Sequence, residues 1–344
     1  MKNARYWKFA AGAAGLLLGL RRAQVVGAFA GKVVLITGGS RGLGLVLARE
    51  LVRRRAKIAI CARDGAELER ARQELAVGGA EVLAMACDVS IAAQASALIE
   101  QTLHRFGRLD VLINNAGIIQ VAPLESMGLQ DFREAMEINY FGLLHTSLAA
   151  LPHMRRRRQG SIVNICSIGG AVAIPHLAPY SASKYAAVGF SEALCAEARP
   201  DGIRVTTILP GVLRTGSFVN ALYKGNRERE VAWFAAGASL PGASVAAGRA
   251  ARRILRACAL GEAYVTIGLP AKVLRLVHAL APGAFSRLST LVGRLLPTAA
   301  GGAGPAEPAE PGWQHRPPPT AVTALGDKAA RRNREVPWAP PERV

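Results

Sequence analysis

The chain has 344 residues, 51% of them hydrophobic, and a formal net charge of +19. That length buries a full core as one large α/β domain with extensions, and the apolar content excludes a disordered protein. The charge first suggests nucleic acid, but the basic residues are spread over many helical stretches, aromatics are only 6% of the chain, and no zinc-finger spacing or aromatic RNA-binding signature is present. It is read as attraction to an anionic cofactor and an anionic membrane surface, with no nucleic-acid partner expected.

Residues 1–30 form a basic, apolar extension. Phe9–Leu20 is rich in Ala, Gly and Leu, with Lys2, Arg5 and Lys8 before it, Arg21 and Arg22 after it, and Tyr6 and Trp7 at its edge. As a helix it spans only about 18 Å, short of a bilayer core. A membrane-surface anchor on the cytoplasmic side is expected. The plainer alternative is a short helix packed on the domain. A signal cleaved after Ala28-Phe29-Ala30 is disfavoured, because two arginines interrupt the path to it.

Residues 31–268 alternate apolar strand-like runs with helical stretches. The strand candidates are Val33–Ile36, Lys57–Cys61, Val82–Ala86, Val111–Ile113, Ser161–Ile165, Arg204–Leu209 and Ala263–Ile267. Helical patterns at Gly42–Arg55, Gln130–Met154 and Tyr180–Arg199 fall between them. Continuous apolar runs suit strands covered on both faces. Right-handed crossovers then give a doubly wound α/β fold of the Rossmann type, with a parallel seven-stranded sheet and its ligand crevice at the carboxyl ends of the strands. Residues 269–297 read as two amphipathic helices bearing Lys272, Arg275, Arg287 and Arg294, for a membrane, a substrate entrance, a partner subunit or the domain itself. Residues 298–344, rich in Pro, Gly and Ala, lack apolar periodicity and are expected to be disordered. Cys61, Cys87, Cys166, Cys195 and Cys258 are far apart with no metal-ligand spacing, so they are read as small buried hydrophobes and no metal site is expected.

Two segments carry the chemistry. Thr37-Gly-Gly-Ser-Arg-Gly-Leu-Gly44 follows a strand and opens a helix, which is the context a phosphate loop requires. Its glycines at 38, 42 and 44 let the backbone approach a pyrophosphate at a helix N-terminus. Tyr180 and Lys184 lie four residues apart, hence on one helix face. A tyrosine with a pKa of about 10 exchanges protons poorly near neutrality, and an adjacent ammonium favours its phenolate. Tyr180 is therefore read as the general acid in carbonyl reduction and the base in alcohol oxidation. Ser167, at a strand end, can hydrogen-bond the substrate oxygen.

The spacing Gly-x-x-x-Gly-x-Gly, with Asp88-Val89, Asn114-Asn-Ala-Gly117, Asn139, Ser167, Tyr180-x-x-x-Lys184 and Pro210-Gly211 in that order, resembles the short-chain dehydrogenase/reductase family over about residues 30–268. The resemblance implies that Gly38, Ser40, Arg41, Gly42, Leu43 and Gly44 bind the pyrophosphate and that Asp88 and Val89 flank the adenine. It also implies that Asn114, Asn115, Ala116 and Gly117 lie along the cofactor and that Pro210, Gly211 and Thr215 lie at the nicotinamide. Lys184 would also bind the nicotinamide ribose, and Asn139 would hold a water leading to that lysine. Ala62 stands where family members preferring NAD carry Asp. Arg63 follows it and Arg41 adds a second cation, so NADP(H) is expected over NAD(H). Asp64 opposes this, since it can turn inward or pair with Arg63.

The segment Val212–Leu240, which in this family closes over the substrate, holds Phe218, Val219, Leu222, Tyr223, Trp233 and Phe234. With the apolar wall Gly169–Pro175 it points to a hydrophobic carbonyl or alcohol, such as a steroid, retinoid, acyl or sphingoid lipid. The alternative is that these residues only pack the lid. The competing functions are a soluble NAD(H)-dependent alcohol dehydrogenase and a non-catalytic cofactor-binding regulatory protein. The resemblance also implies a homodimer or tetramer.

Overall fold

The computed structural model describes residues 27–299, 304–315 and 320–336. Phe9–Leu20 and its basic flanks lie outside them. Seven parallel strands make the central sheet: β1 (Val33–Thr37), β2 (Lys57–Ala62), β3 (Val82–Ala86), β4 (Val111–Asn114), β5 (Gly160–Ile165), β6 (Ile203–Pro210) and β7 (Tyr264–Ile267). Their spatial order is β7-β6-β5-β4-β1-β2-β3. The chain runs outward from β1 to β3, then returns to the other side of β1, where Leu35 lies opposite both Ala59 of β2 and Leu112 of β4. That reversal leaves a crevice above the carboxyl ends of β1 and β4, the place where such sheets bind ligands.

The pleat sorts β1 between two layers. Val34 and Ile36 pack with α1 (Gly42–Val52) and α2 (Gly65–Ala76), while Val33 and Leu35 face α3 (Ala92–Phe106). Helix α4 (Leu129–Met136) runs through a π-helical turn, Glu137–Phe141, into α5 (Gly142–Arg157). Helices α5 and α6 (Ala178–Ala198) complete the layer of α3. After α7 (Arg227–Ser239), α8 (Ala247–Leu260) completes the layer of α1. The continuous apolar strands thus follow from two covered faces.

Helices α9 (Leu269–Leu280) and α10 (Pro282–Gly293) come next. Ala271, Leu274 and Phe285 pack on Ile168 and Val172 beside the crevice. Leu269, Val273, Leu276, Leu280, Leu288, Leu291 and Leu295 are exposed. Among the described residues, no helix is long and apolar enough to cross a membrane.

The expectation of disorder after residue 298 differs from the structure over residues 304–315 and 320–336. Glu310–Pro311 pairs antiparallel with Leu222–Tyr223, which runs parallel to Gln120–Val121. Arg227 donates to the Pro308 carbonyl and pairs with Glu307 at 2.8 Å. Helix α11 (Ala324–Arg332) lies on α7, with Ala330 fully buried at Gly216. A side chain at Gly216 (φ 97°) would strike Ala330. Order here comes from docking against the domain, which the segment's own periodicity does not reveal.

Candidate active site

The crevice has a volume of about 610 Å³ and runs from the glycine loop to α7. At one end, Gly38 (φ 65°) and Gly42 (φ 57°) take left-handed backbone conformations that side chains disfavour. Gly38, Ser40, Arg41, Gly42 and Leu43 line the crevice. Gly44 instead lets α1 approach the loop, since a Cβ there would overlap the Gly38 carbonyl. The first amide of α1, at Gly42, is held by the Asn333 carbonyl at 2.9 Å. The Glu335 carboxylate fills the space that a Gly42 side chain would take. It lies beside the N-terminus of α1, a position whose free amides and positive dipole end favour a phosphate group.

Asn114, the last residue of β4, and Asn115, which follows it, divide their tasks. Asn115 donates from Nδ2 to the Thr37 and Gly38 carbonyls at 3.0 and 3.1 Å and lines the crevice with Ala116 and Gly117. Asn114, expected along the cofactor, does not line it. It is buried in the sheet, donating to Ser147 Oγ and Asn164 Oδ1 at 2.9 Å and accepting from Thr146 Oγ1 at 2.6 Å. Adjacent strand residues face opposite ways, so only one of the pair turns to the crevice.

Asp88, Val89 and Arg63 line the far end. Asp64 also lines this end but does not pair with Arg63: it caps α2, accepting from the Glu67 amide at 2.9 Å. Arg63 is exposed and has no ion pair among the described residues. Arg41 pairs with Glu67 at 3.0 Å and lies 3.7 Å from Glu335. Sequence reasoning missed Glu67, Asn220 and Glu335 in this corner. An acidic residue on the helix after β2, four residues past Arg63, was the available signal for Glu67.

Ser167, Tyr180, Lys184 and Asn139 all line the middle of the crevice. Ser167 follows β5 and accepts from the Gly169 amide at 3.0 Å. Its hydroxyl is near enough to the Tyr180 phenol to exert a lowering pull on that group's pKa. A Cβ at Gly169 would lie 3.3 Å from the Tyr180 ring and 3.4 Å from Ser167 Oγ, so the glycine lets the two groups meet. Lys184 Nζ donates to the Ile165 carbonyl at 3.3 Å and lies 5.7 Å from the Tyr180 ring centre. Asn139 sits in the π-helical turn, where its Oδ1 accepts from the Ile118 amide at 3.0 Å and its Nδ2 donates to Ser183 Oγ at 3.0 Å. Gly117 brings Asn139 and Lys184 to a common gap, its absent Cβ falling 3.4 Å from Lys184 Nζ.

Burial dominates the electrostatics of this group. It pushes the Tyr180 phenol up to about 12, against the lowering pull of Ser167. It also lowers Lys184 from the ordinary lysine range. The expected lowering of the phenol by the ammonium is thus not what prevails here, because a low-dielectric site disfavours both charges.

Beyond Tyr180 the crevice wall is apolar, with Ile119, Ile168, Ile174, Leu177, Leu222 and Phe234. Of the aromatics expected in the lid, Phe234 alone lines it. Tyr223 is fully buried and donates to the Phe218 carbonyl at 2.9 Å. Trp233 donates to the buried Glu230 at 2.6 Å, and Glu230 also holds His176 at 2.8 Å, which ties α7 to the loop before α6. Most of these aromatics therefore build the lid. No cluster of potential metal ligands occurs among the described residues.

Residues 32–224 match the family model described as short chain dehydrogenase. The chain belongs to the short-chain dehydrogenase/reductase family. That family is one of oxidoreductases that use nicotinamide dinucleotides. It is 40% identical to an L-fucose dehydrogenase of Oryctolagus cuniculus over 188 residues, covering 54% of this chain and 64% of that protein. The match therefore takes in less than two thirds of that relative. It is 38% identical to 11-beta-hydroxysteroid dehydrogenase A of Sesamum indicum over 251 residues, 69% of this chain and 68% of that protein. A short-chain dehydrogenase from Streptomyces avermitilis superposes with a TM-score of 0.66 at 30% identity, covering 77% of this chain and 98% of that one.

Proposed function

We propose that the protein is an NADP(H)-dependent oxidoreductase that interconverts a carbonyl and a secondary alcohol on a hydrophobic substrate, with Tyr180 as the general acid/base. The observation that carries this reading is the convergence of Ser167, Tyr180, Lys184 and Asn139 on one crevice, between a glycine loop and an apolar wall. When bound, the dinucleotide supplies or accepts the hydride. In reduction the Tyr180 proton goes to the carbonyl oxygen, and in alcohol oxidation the phenolate takes the hydroxyl proton back. Ser167 donates to the same oxygen and stabilises charge that develops on it. Lys184 in ammonium form favours the phenolate, and Asn139 fixes the gap through which a proton is resupplied. Gly38–Leu43, Asn115–Gly117 and Thr215 would hold the dinucleotide.

Arg63 supports the NADP(H) preference, because it is an exposed cation at the crevice end with no carboxylate partner among the described residues. Glu67 favours the NAD(H) reading, since it already neutralises Arg41. The Arg63→Ala variant is expected to lose roughly ten-fold or more of its preference for NADPH over NADH, as charge-assisted contacts contribute about 1.5–3 kcal/mol. An unchanged ratio of Kd values would return the site to NAD(H).

The apolar wall supports a lipid-type substrate, and the steroid dehydrogenase relative is consistent with it. The exposed apolar face of α9 and α10 beside that wall supports association with a membrane surface, from which such a substrate would enter. The deciding experiment follows NADPH and NADH absorbance with a panel of steroid, retinoid, acyl and sugar carbonyls. Tyr180→Phe should abolish turnover, a loss of about a hundred-fold or more, while NADPH still binds. Preference for small polar sugars would overturn the substrate class, and substantial turnover by Tyr180→Phe would overturn the acid.

A further inference from the structure

The C-terminal segment reaches the crevice at Glu335, beside the glycine loop. The Asn333 carbonyl accepts from the Gly42 amide at 2.9 Å, and Asn333 Nδ2 donates to the Thr215 carbonyl at 2.9 Å. Two residues on, Glu335 is 6% exposed and lies against Gly42 in the space that residue's missing side chain leaves. Asn220 Nδ2 donates to the Glu335 carboxylate at 2.7 Å and to its carbonyl at 2.5 Å, and Arg41 Nε lies 3.7 Å away. A helix N-terminus, a glycine without a side chain and a guanidinium are the groups that attract a phosphate. Here the Asn333 carbonyl takes the helix amide, and the Glu335 carboxylate takes the glycine's open space beside the guanidinium.

The placement is built from several independent contacts. Ala330 fits against Gly216, Arg49 Nη1 donates to the Arg332 carbonyl at 3.1 Å, and Arg334 pairs with Glu74 at 2.8 Å. We propose that residues 320–336 are an intramolecular competitor for the dinucleotide, in which the Glu335 carboxylate holds the pyrophosphate place until the dinucleotide displaces it. The inference rests on reading the crevice as a dinucleotide site. Both occupants need the surface of Gly42 and the guanidinium of Arg41, so they exclude one another. The dock is also of a kind that yields. Burial pushes the Glu335 carboxyl up to about 7, because Arg41 and Asn220 offset only part of its lost hydration and Glu67 opposes its charge. A carboxylate so held gives way to a group that carries more charge and more acceptors.

The test uses the full chain. NADPH and NADH are titrated into wild type, Glu335→Ala and Ala330→Asp, the last unseating α11 without touching the loop. Amide hydrogen exchange of residues 324–336 is read with and without saturating NADPH. If about one tenth of the molecules are undocked at rest, both variants bind both dinucleotides roughly ten-fold more tightly than wild type. In wild type, saturating NADPH raises exchange across residues 324–336. Equal Kd values with unchanged exchange would overturn the competitor while leaving the cofactor site standing. Weaker binding by Glu335→Ala would also overturn it, making Glu335 a contributor to the loaded site. Failure of all three chains to bind either dinucleotide would overturn the cofactor reading and this inference together.

Discussion

Asn114 and Asn115 are the same residue type in adjacent positions, and the fold gives them unrelated work. Asn114 ties β4 to β5 and α5 through Asn164, Ser147 and Thr146, all of them buried. Asn115 stitches the end of β1 to the crevice floor. The motif that contains them was legible in the sequence, but the division between them was not, because it depends on which way the last residue of β4 faces. Removing the Asn114 amide leaves the Asn164 Oδ1 acceptor without its donor in the interior. Thr146 and Ser147 keep bonds to the Gly142 and Leu143 carbonyls. Asn114→Ala is accordingly expected to lose about 1–3 kcal/mol of stability in denaturant unfolding. Its Kd for NADPH should stay within about two-fold of wild type, whereas Asn115→Ala should weaken NADPH binding. A large loss of affinity in Asn114→Ala with normal stability would reinstate it as a cofactor contact.

Among the elements, the seven strands were read within a residue or two of their observed ends, since apolar runs covered on both faces leave a strong signal. The helix expected over Gln130–Met154 hides a π-helical turn at Glu137–Phe141. That extra residue per turn carries Asn139 to Ile118 and Ser183, and no spacing rule at 3.6 residues per turn announces it. The C-terminal segment was the larger error. Its composition lacks a core-forming face, and its order depends on Gly216, Phe218, Asn220 and Ser239, which are remote in sequence. Its Glu335 gives the segment a pH signature. A carboxyl whose docked pKa is raised to about 7, above the free value of 4.5, binds its proton more tightly when docked. Docking is therefore strongest below pH 4.5, weakens as pH rises through that window, and stays at its weaker level above about pH 7. The groups facing the carboxyl are Arg41 of the loop, Glu67 of α2 and Asn220 before α7. Apparent NADPH affinity of wild type should thus rise from about pH 5 to about pH 7 more steeply than that of Glu335→Gln. Parallel pH profiles for the two proteins would show that Glu335 does not govern the dock.

At the scale of the whole molecule, the crevice, the lid and the pair α9–α10 share one side. Ala271, Leu274 and Phe285 fasten that pair to Ile168 and Val172, the latter in the apolar wall segment opposite α7. The rest of its apolar residues face outward, with Lys272, Arg275, Arg287 and Arg294 among them and no acidic residue between positions 270 and 296. An apolar face edged only by cations suits an anionic bilayer better than water, since burying the leucines and neutralising the cations act together. Full-length protein should sediment with phosphatidylserine–phosphatidylcholine vesicles and much less with phosphatidylcholine alone. Binding should fall as salt rises from about 0.05 to about 0.5 M, because the Debye length shrinks from roughly 14 to roughly 4 Å. Replacing Leu276 and Leu288 together by Glu removes apolar area and inverts local charge, and should release the protein from the vesicles. Turnover of a water-soluble carbonyl should survive that change, because neither residue lines the crevice. If the double variant still sediments as wild type does, the face does not meet the bilayer and its leucines await another cover.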